Sequence, residues 1–229
     1  MFRFRLLKTL FGPLMRLVFR PRVEGAEHIP ASGPVILAGN HRTFMDSVLL
    51  PLVVDRQVFF IGKDEYVTGR GLKGRLMAWF FRGVGMIPVD RDGAHGGVAA
   101  LMTGRRVLEE GRIFGIYPEG TRSPDGRLYR GRTGIARLTL MTGAPVVPFA
   151  MIGTDRIQPN GSGFPRPARI TVRFGAPLDF SRYEGMERDR YVLRAVTDEV
   201  MSHVMKLSGQ EYVDMYATKA KNAARRKAA

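Results

Sequence analysis

An α/β fold is what this sequence predicts: a central, mostly parallel or mixed sheet of about six to seven strands covered by helices, with an amphipathic helix at the N-terminus. Three observations lead there. Short β-branched and aromatic runs bounded by turn residues alternate with helix-period segments through most of the chain. The 229 residues, 45% hydrophobic and 25% charged, suffice for one domain with a proper core. No internal repeat interrupts the alternation.

The first element is residues 1–22. Leu7, Leu10, Phe11, Leu14 and Val18 recur at three- and four-residue steps beside Phe4, Met15, Leu17 and Phe19, a helical period with a wide apolar face. The same segment holds six basic residues and no acid. Only seven uncharged residues separate Lys8 from Arg16, and Pro13 would kink the helix after Gly12, so the segment is too short to span a bilayer. No small-residue cleavage site follows, which argues against a signal peptide. It reads as a helix lying in the interface plane, basic groups toward lipid phosphates and Phe and Leu in the acyl boundary, the alternative being that it packs on its own domain.

Strand candidates follow at 34–38 (PVILA), 58–62 (VFFIG), 86–89 (MIPV), 113–117 (IFGIY), 146–152 (VVPFAMI) and 170–174 (ITVRF). Helical patterns cover 44–54, 72–81, 94–110 with Val98, Leu101, Met102 and Leu108 inward, 133–141, and 187–207. In the last, Val192, Val196, Val200 and Val204 give one packing face. The 72–81 helix carries the single Trp, Trp79, among phenylalanines and arginines, and both an interfacial anchor and an ordinary core helix fit that pattern. Gly69, Gly71 and Gly74 match a dinucleotide-loop glycine pattern but stand away from any strand end, so 69–74 reads as a loop, as does 158–167. The uncharged run 138–154, interrupted by Gly143, Pro145 and Pro148, reads as a helix end, a turn and a buried strand. Residues 211–229 form a basic tail, a frayed helix or a solvated segment.

Composition excludes whole classes of function. With no cysteine the chain is neither a disulfide scaffold, a thiol enzyme, nor a Cys-ligated metal protein. Of its net charge of +15, eleven charges sit in residues 1–22 and 219–229, leaving +4 for the body. Such an excess calls for an anionic partner: nucleic acid, a membrane surface or a phosphorylated substrate. The basic ends interleave with bulky aliphatics and no nucleic-acid motif is present, so a nucleic-acid partner is not expected. No G-x-S-x-G, Walker loop or H-E-x-x-H occurs.

The informative constellation begins at Asn40, His41, Arg42, Thr43, Phe44, Met45 and Asp46, directly after a strand and before a helix. Residues five apart do not face each other in a regular helix, so a His41–Asp46 contact requires His41 on the preceding loop. There a carboxylate on one ring nitrogen would fix the tautomer and leave the other as a general base; a capping pair is the alternative. A second segment, Tyr117, Pro118, Glu119, Gly120, Thr121, Arg122 and Ser123, follows the IFGIY strand. Its Pro and Gly shape a turn, Arg122 can hold phosphate oxygens bidentately, and hydroxyl and backbone donors lie beside it. Arg127, Arg130, Arg132 and Arg137 follow; a solvated basic loop is the alternative. A third segment, 85–91, ends in Asp90 and Arg91, and a fourth, 146–152, is an apolar strand suited to core or acyl-chain contact.

In this order the four segments resemble the glycerolipid acyltransferase family, specifically the bacterial 1-acylglycerol-3-phosphate acyltransferases. The pattern N-H-x-S-x-x-D is matched by Asn40, His41, Thr43 and Asp46, with Thr in the Ser place. G-x-I-x-x-D-R is matched by Gly85, Ile87, Asp90 and Arg91, F-P-E-G-T-R-S by residues 117–123 with Tyr117 for Phe, and V-P by Val147 and Pro148. The resemblance spans about residues 23–180 and implies an organisation of interfacial helix 1–22, acyltransferase domain 23–210 and basic tail 211–229.

The resemblance implies transfer of a fatty acyl group from acyl-CoA or acyl carrier protein to a glycerol hydroxyl of a lysophosphatidic acid acceptor, with no cofactor or metal. His41 is then the general base and Asp46 its orienting partner. Arg91, Glu119, Gly120, Thr121, Arg122 and Pro148 fall at substrate-binding positions, Glu119 positioning Arg122 or bonding a glycerol hydroxyl. Anionic membrane lipids become partners, and the cytoplasmic face of the cell membrane the place of a peripheral protein. The absent Cys and Ser elbow fit direct transfer, since a thioester is already activated. Arg42 after His41 also resembles the glycerol-3-phosphate acyltransferase relatives. A non-catalytic membrane-surface protein on the same scaffold is the rival of another class.

Overall fold

The computed structural model describes residues 2–62, 64–69, 71–89, 96–158 and 165–228. In chain order its strands are β1 (Arg22–Glu24), β2 (Val35–Gly39), β3 (Val58–Gly62), β4 (Met86–Pro88), β5 (Ile113–Ile116), β6 (Leu128–Tyr129), β7 (Val146–Ile152), β8 (Thr171–Phe174) and β9 (Tyr212–Val213). Its helices are α1 (Phe2–Phe19), α2 (Asp46–Val53), α3 (Gly71–Gly83), α4 (Gly96–Glu109), α5 (Gly134–Thr142), α6 (Thr154–Ile157), α7 (Arg190–Ser208) and α8 (Ala217–Ala228). Seven strands make one sheet in the order β1-β8-β7-β2-β5-β3-β4, parallel at every pairing except β7 with β8.

The central strands read as continuous apolar runs because both faces are covered. Val35 and Leu37 of β2, with Val147, Phe149 and Met151 of β7, face α2. Ile36 and Ala38, with Phe114 of β5 and Val146 of β7, face a layer built from α4, α5 and α7. In α7, Val196, Val200 and Val204 are fully buried in that second layer, Val192 packs at its margin, and Asp189 caps the helix by accepting from the N–H groups of Tyr191 and Val192.

Three expectations are corrected. Helix α4 buries Gly104, Val107 and Leu108, whereas Val98 and Met102 are exposed. The cause is Gly104: a Cβ there would stand 2.9 Å from the Phe114 ring and 3.1 Å from Leu138, so the missing side chain brings that side of the helix onto the sheet. The expected glycine loop is instead the start of α3, in which Gly74 abuts the backbone of Gly69 closely enough to exclude a Cβ. The C-terminal segment begins with packed structure rather than a solvated tail: β9 pairs in parallel with β6, and α8 follows with Ala217 fully buried, while Asn222, Ala223, Ala224 and Arg226 are exposed.

Helix α1 runs unbroken in assignment across Pro13 and carries two apolar faces. Phe4, Leu7 and Phe19 are buried, and Lys8 Nζ donates to the Val54 carbonyl at 2.9 Å and to Asp55 at 2.8 Å. Leu10, Leu14 and Leu17 point outward. Its neighbour α3 likewise buries Phe81 while Leu72, Leu76 and Met77 are exposed, and an edge-to-face contact of Phe11 with Phe80 at 5.9 Å joins the two helices. Among the described residues no helix is long and apolar enough to cross a membrane.

Gly39 ends β2 beside Phe149, its register partner, and a Cβ there would lie 2.4 Å from that ring. Gly39→Ala should therefore cost about 1–3 kcal/mol through overpacking. A lowered urea midpoint, partly restored by adding Phe149→Leu, is the expected result; an unchanged midpoint would mean that the two strands separate freely.

Candidate active site

Strands β2 and β5 lie side by side, and their C-terminal ends carry the two informative segments. The helix after β2 packs on one face of the sheet and the helix after β5 on the other, so the loops part and leave a crevice at the strand ends, where ligands of such sheets bind.

After β2 the side chain of Asn40 is buried between strands, its Oδ1 accepting from Met151 N–H at 2.8 Å and its Nδ2 donating to the Met151 carbonyl at 3.1 Å and to Gln210 Oε1 at 2.6 Å. The chain then turns before α2, placing His41 on the loop and Asp46 at the first position of the helix, where the helix dipole favours an anion. His41 Nδ1 lies 3.0 Å from Asp46 Oδ2, and the same oxygen accepts the N–H groups of Arg42 at 2.7 Å and Thr43 at 2.8 Å. Asp46 is wholly buried, whereas His41 retains 17% of its side-chain exposure. Nδ1 therefore carries the hydrogen that the carboxylate accepts, leaving Nε2 with a lone pair. The imidazole stacks on the Tyr117 ring at 4.0 Å and 12°. Burial, then the Asp46 charge, raises the Tyr117 hydroxyl above its usual range; Ser47 Oγ donates to it at 3.3 Å.

Glu119 works inside the framework rather than at the surface. It is 1% exposed, with Oε1 accepting the His41 N–H at 3.1 Å and Oε2 the Tyr129 N–H at 2.9 Å. Both oxygens thus serve the backbone. Burial pushes its carboxyl up to about 7 and Asp46 adds to the rise, while the two N–H donors and the Lys221 charge oppose it. Four residues on, Ser123 N–H donates to the His41 carbonyl at 2.7 Å. The segment is clamped to the His41 backbone at both ends, and Gly120, Thr121 and Arg122 bulge between the clamps. Gly120 occupies the left-handed region at φ +73° and closes the turn through its N–H to the Tyr117 carbonyl at 2.9 Å.

The remaining positions divide. Thr121 Oγ1 accepts from Lys221 Nζ at 2.6 Å, and Arg122 is exposed. Pro148 is buried in β7 opposite Ala38. Arg91, with Asp90, lies outside the described residues. Of the arginines after the turn, Arg127 pairs with Asp125 at 2.7 Å and Arg130 with Asp214 at 3.4 Å, whereas Arg132 lies over the Tyr216 ring at 5.3 Å and packs against Gly120. Arg42 pairs with Asp155 of α6 at 3.1 Å. The contacts of Tyr117, Gln210 and Lys221 come from tertiary packing, and no local pattern announces them. On the α4 and α5 side of the sheet a cavity of about 380 Å³ is lined by Ile61, Leu101, Phe114, Ile116 and Leu138, and by Tyr117.

The family model described as Acyltransferase matches residues 20–152. A chloroplastic 1-acyl-sn-glycerol-3-phosphate acyltransferase of Arabidopsis thaliana is 32% identical over 72% of this chain and 45% of its own length. That of Bacillus subtilis is 28% identical over 82% of this chain and 88% of its own. This chain spans less than half the length of the chloroplast relatives it matches. Among solved structures, the crystal structure of the 1-acyl-sn-glycerophosphate acyltransferase PlsC from Thermotoga maritima superposes with a TM-score of 0.64 at 25% identity, covering 88% of this chain and 79% of that one.

The raised Glu119 pKa has a definite sign. The folded state holds this proton more tightly than the unfolded chain, so the contribution to stability is full below about pH 4.5 and is lost as pH rises through about 7. Relative to Glu119→Gln, which cannot titrate, the wild-type protein should lose stability between pH 5 and 8 by roughly 2–3 kcal/mol. Parallel melting curves of the two proteins across that range would disprove the shift.

Proposed function

The chain belongs to the Acyltransferase family, and from that premise we propose that it moves a fatty acyl group from an acyl thioester, acyl-CoA or acyl carrier protein, to the free hydroxyl of 1-acylglycerol-3-phosphate, giving phosphatidic acid. The observation that carries the reading is the His41–Asp46 contact, with the 119–123 turn bonded directly to the His41 backbone. His41 Nε2 takes the proton of the acceptor hydroxyl as its oxygen attacks the thioester carbonyl. The C–O bond forms, the C–S bond breaks, and the departing sulfur takes the proton back from His41. Asp46 holds the ring and stabilises the imidazolium that forms between these steps.

Thr121 and Arg122 are suited to the acceptor phosphate, hydroxyl and guanidinium supplying complementary donors. The relatives named above as 1-acyl-sn-glycerol-3-phosphate acyltransferases support this acceptor. So does Arg42: the residue shared with the glycerol-3-phosphate relatives is tied to Asp155 rather than to the 120–122 turn. The apolar cavity beside Tyr117 is suited to the acyl chain.

A place at the cytoplasmic face of a membrane, bound peripherally to anionic lipid, is part of the same reading. Leu10, Leu14 and Leu17 of α1 and Leu72 and Leu76 of α3 are exposed, and α1 also carries exposed Arg3, Arg5 and Arg16 on a segment without acids.

Thiol release from palmitoyl-CoA, with 1-acylglycerol-3-phosphate and glycerol 3-phosphate offered in parallel, tests the reaction. His41→Ala should lower turnover about 10²–10⁴-fold with the melting temperature kept. Arg122→Ala should chiefly raise the acceptor KM. Release that ignores both acceptors, or survives His41→Ala, refutes the reading. Changing Leu10, Leu14 and Leu17 together to Ser should cut binding to phosphatidylglycerol vesicles by at least about ten-fold; undiminished binding removes α1 from the interface.

A further inference from the structure

We propose that the C-terminal helix completes the acceptor's phosphate site, with Lys221 as a specificity-determining residue for that phosphate. The inference rests on the phosphate-bearing acceptor proposed above and adds a residue 100 positions distant from the turn it joins.

The first support is contact. Lys221 Nζ donates to Thr121 Oγ1 at 2.6 Å, within the bulge whose two ends are bonded to the backbone of His41. An ammonium is a point charge with three donor hydrogens, the kind of group that phosphate oxygens accept from. A phosphate that takes the Thr121 hydroxyl as a donor must then lie within reach of this ammonium.

The second support is that the position of Lys221 is held from several sides. Strand β9 pairs with β6 close after the turn, with Leu128 opposite Tyr212 and Tyr129 opposite Val213. Arg130 N–H donates to the Met215 carbonyl at 3.0 Å, Arg132 and Arg130 both lie over the Tyr216 ring, and Arg132 Nη2 donates to Thr218 at 3.3 Å. Ala217, at the start of α8, is fully buried. A solvated basic tail would make none of these contacts. Here the first turn of α8 is docked, Lys221 is half-buried, and Lys219 on the same turn is exposed.

The third support is where the charge falls. Arg127 and Arg130 are neutralised by Asp125 and Asp214. Arg132 instead lies against Gly120, beside Thr121. With Arg122 and Lys221 it concentrates positive charge on one turn beside a wholly buried carboxyl, Glu119, that cannot reach a ligand in the crevice. A phosphate monoester at neutral pH carries close to two negative charges and three acceptor oxygens, which suits a fork-shaped guanidinium joined by a point charge.

The test is steady-state kinetics of the full chain with lysophosphatidate varied at saturating palmitoyl-CoA. Lys221→Met should raise the lysophosphatidate KM about ten-fold, the loss expected for one charged hydrogen bond partly open to solvent. Turnover, the palmitoyl-CoA KM and the melting temperature should stay near their wild-type values. Lys221→Arg should recover most of the loss, and Lys219→Met should behave as wild type. An unchanged acceptor KM in Lys221→Met overturns the proposal. So does a joint rise of both KM values with a fall in turnover and melting temperature, which would make Lys221 a staple for the helix. Should the wild-type protein transfer to no phosphate-bearing acceptor, the proposed reaction falls separately, and calorimetric binding of glycerol 3-phosphate to wild type and Lys221→Met still decides: tighter binding by wild type supports the role of Lys221, and equal affinity overturns it.

Discussion

One oxygen atom, Oδ2 of Asp46, sets the geometry on which the rest of the site depends. It accepts from the His41 ring and from the N–H groups of Arg42 and Thr43, so the orientation of the imidazole and the path of its loop are determined together. A wholly buried carboxylate is costly unless such donors are present, and the start of α2 adds the favourable end of a helix dipole. Glu119 completes the restraint from the other strand. It holds the His41 N–H while Asp46 holds the His41 ring, so the residue is fixed through backbone and side chain independently. Two buried carboxyls this close compete for charge. Burial raises the Glu119 carboxyl first, and the Asp46 charge adds to that rise.

Sheet order explains how segments so far apart in sequence come to share this network. His41 and Glu119 are 78 residues apart, yet β2 and β5 are neighbours, in register from Val35 with Ile113 to Ala38 with Ile116. Parallel neighbours end on the same side, so the residues that follow each strand must meet. The β7 neighbour on the far side of β2 supplies backbone atoms instead: Met151 bonds both ends of the Asn40 amide. The site is a consequence of three adjacent strands, with side-chain chemistry drawn from two of them.

What could be read from the chain before folding follows the range of the forces involved. The central strands and the long helices announce themselves because β-branched runs and helical periods are local, and the H-x4-D and E-G-T-R patterns are local as well. Strands β1, β6 and β9, of two or three residues each, owe their existence to partners more than 80 positions away and have no period to betray them. The inward face of α4 is misjudged by hydrophobicity because the deciding residue, Gly104, contributes an absent side chain. Pro148 falls within a motif yet lies inside the sheet, its position set by register with Ala38. The Tyr117 ring under His41 is a single aromatic among many until β2 and β5 are paired.

Charge shows the same division between composition and position. Eleven of the fifteen net positive charges sit at the two ends, and composition treats those ends alike. Folding sends them to different tasks. In α1 most of the basic side chains are exposed, as are Leu10, Leu14 and Leu17, which is what the proposed lipid contact rests on. In α8 a buried Ala217, the Arg132–Thr218 bond and the β6–β9 pairing turn the helix inward, and Lys221 reaches the turn beside His41. A net charge says that an anion is nearby; which anion depends on whether the cation stands among leucines on an open face or among hydroxyls in a crevice. On that criterion the proposed lipid contact falls to the N-terminal charges and the proposed phosphate contact to Lys221, which is held against Thr121.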